Sequence, residues 1–441
     1  MANKIRIPEK LGKITVEICR YLLAGTFLFS GYVKAVDPWG VAYKNQDYFD
    51  AFGLTFLDFL AIPSSFFLIA FEFVLGVCLL LGIYRRFSTI LVLLFMLFMT
   101  PLTLYLAIAN PVSDCGCFGE ALVITNWQTF SKNIVLLLAS LIVFLGYKRM
   151  SPFFSRKSES LALLWSCLFI VGFSLYCFLY LPALDFRPYK KGAHLPSLIE
   201  IPDDAEPDVY EYTLIYSKDG KEQEFTLDNY PKNDDSWTYV DTRSKQIKKG
   251  YEPPVSDFMI FSEDEEDVTT QILENPSYTF LLVAHKLEKA SDSNVEKINE
   301  AYDYARKYGY DFYALTSSLP DAIQDWKENT GAEYPFCMMD DITLKTIIRS
   351  NPGLVLMKEG TIINKWANRK LPDFSRLDQS LEDSPVGQIP PNHSVRSVFV
   401  SGLILFLPLI ALCLFDLYRH KRKGRNLSPA PPKGGFDPEN P

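Results

Sequence analysis

The sequence predicts a polytopic α-helical membrane bundle of six spanning helices joined to an α/β domain with a small β-hairpin element. Three observations predict it. The 441 residues are 48% hydrophobic and only 22% charged, too apolar for an ordinary soluble domain. Apolar runs of about 20 residues, each long enough to cross a hydrocarbon core of ~30 Å, recur near 13–36, 64–84, 87–109, 127–147, 160–182 and 397–418. Between the fifth and sixth runs lies a long acidic block in which strand and helix patterns alternate.

Orientation follows from the lysines and arginines of the short loops, which concentrate on the cytoplasmic side of a membrane. Lys4, Arg6, Lys10 and Lys13 precede the first run, and Arg85 and Arg86 separate the second from the third. Lys148, Arg149, Arg156 and Lys157 separate the fourth from the fifth, and Arg419 to Arg425 follows the sixth. All belong inside. By alternation, residues 37–63, the loop around Cys115 and the block from Asp185 to about Arg396 lie outside, which in a Gram-negative cell is the periplasm. The expected location is therefore the bacterial inner membrane, with both termini cytoplasmic and the lipid bilayer as one partner. The first run is long and has no small-residue cleavage pattern, so no cleaved signal is expected. A net charge of −8, carried by the outer block, argues against nucleic acid as a partner.

Of the eight cysteines, Cys19, Cys78, Cys167, Cys177 and Cys413 fall within helices and read as small buried hydrophobes. Cys115, Cys117 and Cys337 are expected outside, where disulfides persist. The first two stand in "PVSDCGCFGEA", Pro111 to Ala121. A Cys-Gly-Cys disulfide closes a very short ring, and the strain of closing it favours exchange over permanence. Gly116 permits the tight turn. A local structural disulfide, or thiols merely packed at the membrane face, is the alternative. A metal ranks behind both, because His194, His285 and His393 are not spaced as ligand partners of these thiols. Cys337, in "YPFCMMDD", is either buried beside Phe336 and Met338 or an exchange partner of Cys115 or Cys117, held over them by the flanking helices.

Charged residues inside spanning helices are costly and mark functional or clamping contacts. Arg20 in the first helix is expected to reach Glu72 in the second, with Lys34 as the competing partner. The cluster is an interhelix clamp, a proton path or a polar ligand pocket. Lys132 and Asn133 follow the cysteine loop, where the lysine either lowers a thiol pKa or extends to the headgroups.

The domains follow in order. Residues 1–182 form the bundle, and residues 183–249 hold a β-hairpin, "YEYTLIYSKDGKEQEFTL" from Tyr210, turning at Lys218-Asp219-Gly220. Residues 250–375 alternate strand and helix: "YTFLLVAHK", "VEKINEAYDYARKYG", "YDFYALTSS", "LPDAIQDWKENTGA", then "SNPGLVLMKEGTIINKW" with a hairpin at Glu359-Gly360. An extended linker spans 376–396, the sixth helix 397–418, and a basic, then disordered, tail 419–441.

Two segments resemble known families. "ICRYLLAGTFLFSGYVKAVDP" (Ile18 to Pro38) and "IAFEFVLGVCLLLGIYRRF" (Ile69 to Phe87) resemble the first two helices of the DoxX family of bacterial membrane proteins. With CGCFG and "NIVLLL" from Asn133, the stretch of roughly 10–150 is similar to the related methylamine-utilisation MauE family. The MauE likeness implies maturation of a disulfide-containing periplasmic client; the DoxX likeness implies a link to redox stress, with a quinone as the one cofactor suggested. The order over 250–375 resembles the thioredoxin-like fold, in its thiol-peroxidase and cytochrome-maturation branch, with Asn351-Pro352 at the place of that family's cis-proline. There is one departure. Residues 284–294, "AHKLEKASDSN", carry no cysteine where the family has Cys-x-x-Cys, and Ser291 and Ser293 do not replace a redox nucleophile. The whole resembles a Gram-negative family that fuses the two parts. Three readings stand: periplasmic thiol–disulfide handling through Cys115 and Cys117, a non-enzymatic scaffold whose redox-dead domain captures a client, and a transporter or ligand-binding protein centred on Arg20 and Glu72.

Overall fold

Among the described residues, six helices are long and apolar enough to cross a membrane, Lys10–Val36, Thr55–Leu81, Arg85–Ala109, Asn126–Arg149, Arg156–Leu179 and Ser394–Arg419, so the chain is a multi-pass membrane protein. They fall on the six expected runs. The computed structural model describes residues 9–425 except 113, 203, 219, 220, 233, 235, 249, 257, 392 and 393. Expectations concerning Lys4, Arg6, Asp219-Gly220, His393, the side chains of 420–425 and the tail from Asn426 lie outside the described residues.

In the bundle, α1 (Glu9–Val36) is followed by α2 (Pro38–Ala51), α3 (Ala61–Leu81), α4 (Arg85–Ala109), α5 (Asn126–Gly146) and α6 (Arg156–Leu179). Helix α2 lies in the segment 37–63 that is expected outside the membrane. Asp37 caps it by accepting from the Gly40 N–H at 3.0 Å, and Pro38 supplies the fixed φ of a first helical residue. Helices α1 and α3 approach closely because glycine leaves room. A Cβ on Gly31 would lie 2.6 Å from the Phe73 nitrogen, and one on Gly76 2.7 Å from the Leu28 nitrogen. Spans alternate in direction, so the described residues of 37–54, 110–125 and 180–391 share one end of the bundle.

At that end stand α7 (Leu195–Ile199), β1 (Val209–Lys218), β2 (Lys221–Thr226) and β3 (Thr238–Lys248). The three strands pair antiparallel in the order β2-β1-β3, one strand more than the expected hairpin. Strand β3, "TYVDTRSKQIK", is polar on both faces and carries no alternation to read.

The α/β domain adds β4 (Phe261–Ser262), α8 (Thr269–Leu273), β5 (Tyr278–Val283), α9 (Val295–Tyr308), β6 (Asp311–Thr316), α10 (Pro320–Thr330), β7 (Phe336–Met338), α11 (Asp341–Ile347), β8 (Gly353–Lys358) and β9 (Thr361–Ala367), before α12 (Ser394–Arg425) re-enters the bundle. The sheet order is β4-β7-β6-β5-β8-β9, with β5, β6 and β7 parallel and β8 and β9 antiparallel. Every residue of β5 is buried, as expected of a strand covered on both faces. Phe280 and Leu282 pack with Ile298 and Trp326 on one face; Leu281 and Val283 pack with Leu344 and Ile347 on the other. The Asn351-Pro352 peptide is cis, directly before β8. This is a thioredoxin-like arrangement. The β8–β9 turn places Glu359 and Gly360 at φ 46° and 67°, both left-handed.

The expected linker is not free. Leu381 is fully buried in the domain core, its N–H donates to the Tyr310 hydroxyl at 3.0 Å, and the hydroxyls of Tyr278 and Tyr304 donate to the Gly387 and Gln379 carbonyls. Three tyrosines, one on β5, one on α9 and one between α9 and β6, thus fix a segment that composition alone marks as extended.

Candidate functional site

Cys115 and Cys117 meet at the end of the bundle shared with the α/β domain. Their Sγ atoms lie 3.0 Å apart and neither is in a disulfide; Cys115 is buried and Cys117 half-buried. Bond formation, which needs about 2.05 Å, requires the sulfurs to close by only about 1 Å. Gly116 between them has φ 63°, and a Cβ there would sit 2.9 Å from the Lys44 side chain, so both conformation and space require glycine.

Three elements fasten the loop. Asp114 accepts from the Gly116 N–H at 2.7 Å and from Lys44 Nζ of α2 at 3.1 Å. The Tyr48 hydroxyl, also on α2, donates to the Cys115 carbonyl at 2.9 Å. From α1, the Ser30 hydroxyl lies 2.6 Å from the Cys117 carbonyl and 2.7 Å from Glu72 Oε2, and Asn126 of α5 donates to the Val112 carbonyl at 2.9 Å. The two thiols titrate differently. The hydrogen bond between them, with Lys132 and Lys34 nearby, holds Cys117 below the usual thiol range against its burial. The same hydrogen bond, together with burial, pushes Cys115 up.

The intramembrane charges arrange themselves differently from the expectation. Lys34 Nζ lies 2.7 and 2.8 Å from the two carboxylate oxygens of Glu72, so the competing pairing is the one that forms. Arg20 does not reach Glu72. Its Nε and Nη2 donate to the Leu79 and Leu80 carbonyls at 2.5 and 2.8 Å, and its Nη1 reaches Glu17 and the Ser151 carbonyl. The carbonyls of the last turn of α3, which concentrate partial negative charge, are the stronger attraction. Arg20 is a clamp at the opposite end of the bundle, and the Arg20–Glu72 centre that a transport reading requires does not form. We predict that Arg20→Met lowers the stability of the bundle by about 3 kcal/mol, because buried carbonyls and Glu17 lose their donor. A thermal-unfolding series in detergent checks it, and an unchanged midpoint overturns the clamp. Lys132 lies 4.2 Å over the Phe118 ring, beside the loop, while Asn133 donates to Thr103 and not toward a thiol.

A cavity of about 300 Å³ opens beside the thiols. Cys115, Cys117, Lys34 and Glu72 line its inner end, and Leu184, Phe186 and Arg187 line the side toward the α/β domain. That domain is held down by a buried ionic network that joins segments far apart in the sequence. Arg349 Nη2 lies 2.9 Å from Asp37 Oδ2, joining the residue ahead of the cis-proline loop to the cap of α2. Arg187 bonds Asp185 at 2.8 Å and the Thr346 carbonyl at 2.9 Å, and Lys365 bonds Asp185 at 2.9 Å. Burial opposes the charge on Asp37, yet Arg349 and Arg187 outweigh it and hold the carboxyl below its usual range. Tyr43 of α2 packs edge-on against His285, with ring centroids 6.4 Å apart, and carries Lys345 and Arg349 on its face. One signal for this network was present in the sequence: an aspartate before a proline at a helix start.

The position of the missing Cys-x-x-Cys therefore faces the bundle. His285 lies there, Ser291 donates its N–H to the Asn351 carbonyl at 3.0 Å, and Asn351 donates to the Lys286 carbonyl at 2.8 Å. Pro352 is buried. Cys337 is not an exchange partner of the loop in this arrangement. It is 3% exposed on β7 within the hydrophobic core, and burial pushes its thiol up to about 11.

Residues 12–146 are similar to the methylamine utilisation protein MauE. The match covers less than half of the chain and contains the whole cysteine loop, so the MauE-like part of the expectation is met. Residues 210–249, the three-stranded sheet, match a domain of unknown function, DUF8463. None of the curated proteins matches the chain. Among solved structures, a candidate protein disulfide isomerase from Bacteroides thetaiotaomicron is 17% identical, covering 32% of this chain and 91% of its own, at a TM-score of 0.24. An uncharacterized conserved protein from Geobacillus kaustophilus is 14% identical, covering 34% and 78%, at a TM-score of 0.21.

Proposed function

We propose that the MauE-like bundle, read as part of a fused DoxX-like inner-membrane protein, is a thiol–disulfide exchange protein with its loop and α/β domain in the periplasm. Cys115 and Cys117 form the exchanging pair and an envelope protein is the client. The observation that supports it is the pairing of two sulfurs 3.0 Å apart in the wall of a cavity, with surroundings that favour the thiolate at one and oppose it at the other. Such asymmetry suits a nucleophile with a resolving partner. The redox-dead α/β domain acts as a cover: its cis-proline face docks on α2 and cannot hold a client at the same time.

The test is acid-trapping and alkylation in cells, with and without an oxidant pulse, combined with a membrane-impermeant maleimide to establish sidedness. A mixture of dithiol and disulfide that shifts with the pulse supports the reading. A pair that stays fully oxidised throughout reduces the loop to a staple. A second measurement uses the pH dependence of alkylation in the reduced protein. Cys117 is expected to reach half its limiting rate below the ordinary thiol value of about 8.5. Cys115→Ala is expected to move that point upward by removing the largest stabiliser of the thiolate, and Lys132→Met upward by less. Coincident profiles in all three proteins would remove the proposed nucleophile.

A further inference from the structure

One buried hydroxyl joins the Lys34–Glu72 ion pair to the cysteine loop, and its two bonds cannot both be made while Glu72 is ionised. Lys34 Nζ spans the two carboxylate oxygens of Glu72 at 2.7 and 2.8 Å. Ser30, one turn before Lys34 on α1, places its Oγ 2.7 Å from Glu72 Oε2 and 2.6 Å from the Cys117 carbonyl oxygen. A serine hydroxyl has one hydrogen to donate. With Glu72 ionised both neighbours are acceptors, and the carboxylate, being charged, takes the hydrogen. The Cys117 carbonyl then faces only a lone pair. With a proton on Oε2, Glu72 donates to Ser30, Ser30 donates to the carbonyl, and both contacts are satisfied. One proton on Glu72 therefore decides whether the loop is fastened at Cys117.

Glu72 also shares space with the sulfurs. It lines the cavity of about 300 Å³ together with Cys115 and Cys117. It lines a second chamber of about 30 Å³ together with Ser30, Cys117 and Lys132. That chamber has room for a water and the polar partners a buried water requires. The charged groups facing Glu72 are Lys34 of α1 and, across the small chamber, Lys132 of α5, while α4 presents Phe95, Met96 and Met99. Across the larger cavity Lys44 is engaged by Asp114, Arg187 by Asp185 and Asp37 by Arg349, and Glu120 is exposed.

We propose that Glu72 takes the proton that leaves Cys115 when the pair closes to a disulfide, and that Ser30 transmits this event to the loop. The inference rests on the exchange reading above and adds the destination of the proton. In the first step the Cys117 thiolate attacks one sulfur of a client disulfide; the Cys117–client bond forms, the client S–S bond breaks and a client thiolate leaves. Cys117 then no longer accepts from Cys115, yet burial still holds the proton on the Cys115 sulfur. In the second step Glu72 accepts that proton through water in the cavity, and the Cys115 sulfur attacks Cys117. The Cys115–Cys117 bond forms, the mixed disulfide breaks and the second client thiolate leaves. Two electrons have passed from the pair to the client disulfide. Protonated Glu72 turns the Ser30 hydroxyl onto the Cys117 carbonyl, which fastens the loop in its closed state, and the proton then passes to a departing client thiolate.

The experiment uses the full chain, reduced, in phosphatidylethanolamine–phosphatidylglycerol nanodiscs, mixed rapidly with dithiodipyridine, a small neutral disulfide that releases one coloured thiopyridone at each of the two steps. In the parent the second release is expected to vary little with pH across the neutral range, because its base is already ionised. In Glu72→Gln the first release is expected at or above the parent rate, while the second slows about tenfold or more and rises with pH as Cys115 is left to ionise alone. Glu72→Asp is expected to restore the second release in part. Ser30→Ala keeps the ion pair, so it reports even where Glu72→Gln fails to fold; it is expected to slow the second release by a smaller factor and leave the first unchanged. A folded Glu72→Gln with the parent pH profile in the second release overturns the inference, as does a parent second release in Ser30→Ala. An interhelix clamp and nothing more would move the unfolding midpoint and both releases together, without changing the pH profile of the second. If the parent releases no second thiopyridone, the pair does not close and the exchange reading itself falls.

Discussion

Cys115→Ser and Cys117→Ser are each expected to abolish oxidant-dependent cycling completely, yet to differ in what they trap. The loss follows from chemistry, since a disulfide between residues two apart needs both sulfurs. The asymmetry follows from the site. In Cys115→Ser the remaining thiol is Cys117, whose charge Lys132 and Lys34 continue to favour although the thiol donor is replaced. It is expected to attack a client disulfide and stay joined to it, because the resolving sulfur is gone. In Cys117→Ser the remaining thiol is Cys115, which loses the Cys117 hydrogen bond but is still pushed up by burial, and a mixed disulfide is expected to accumulate less. Non-reducing gels of acid-trapped cells, followed by mass spectrometry of any shifted band, read both outcomes. Folding is a minor concern, because sulfur-to-oxygen replacement changes the side-chain volume little and the loop is fastened through carbonyl groups that both variants retain. Equal trapping by the two variants would reverse or remove the assignment of Cys117 as nucleophile. Unchanged cycling in either would end the exchange reading.

The spans were legible in the sequence because hydrophobic length is a property of a contiguous segment. So were β5, β6, β8 and β9, whose patterns are strong and local. The cysteine pair was legible as a motif, although its asymmetric charge was not, since that depends on Lys34 and Lys132 brought from α1 and α5. The expected reach of Arg20 to Glu72 fails for a physical reason: pairing side chains of opposite charge ignores the carbonyls that a helix end exposes. The docking network was hidden altogether, because Asp37 and Arg349 are 312 residues apart and each alone reads as a loop charge. The tyrosine fastening of 376–396 was hidden likewise, since nothing in a Pro- and Asp-containing segment announces the hydroxyls that meet it.

Breaking the Asp37–Arg349 pair is expected to free the α/β domain from the loop. Arg349 is 5% exposed, so Arg349→Met leaves Asp37 as a buried carboxylate with one cation fewer, which costs about 3–5 kcal/mol. Asp37→Asn costs less, because the cap to Gly40 is retained. Two readouts should move together: amide exchange in α2 and in 284–294, and alkylation of reduced Cys117 by an impermeant maleimide. Both are expected to rise in either single variant. In the double variant the loss should be smaller than the sum of the two, because no charge is left unpaired. Acid should act in the same direction. Burial holds His285 down to about 4, against about 6.5 when free, so its neutral form supports docking above 6.5, and that support is lost as pH falls from there toward 4. Asp37, held below its usual range, contributes above the free carboxylate value and loses that contribution as pH falls below it. Labelling of Cys117, corrected for its own titration with a small neutral alkylating agent that needs no lid opening, should therefore increase between pH 6.5 and 4. If the single and double variants are additive and Cys117 labelling stays at the parent level, this ion pair does not hold the cover.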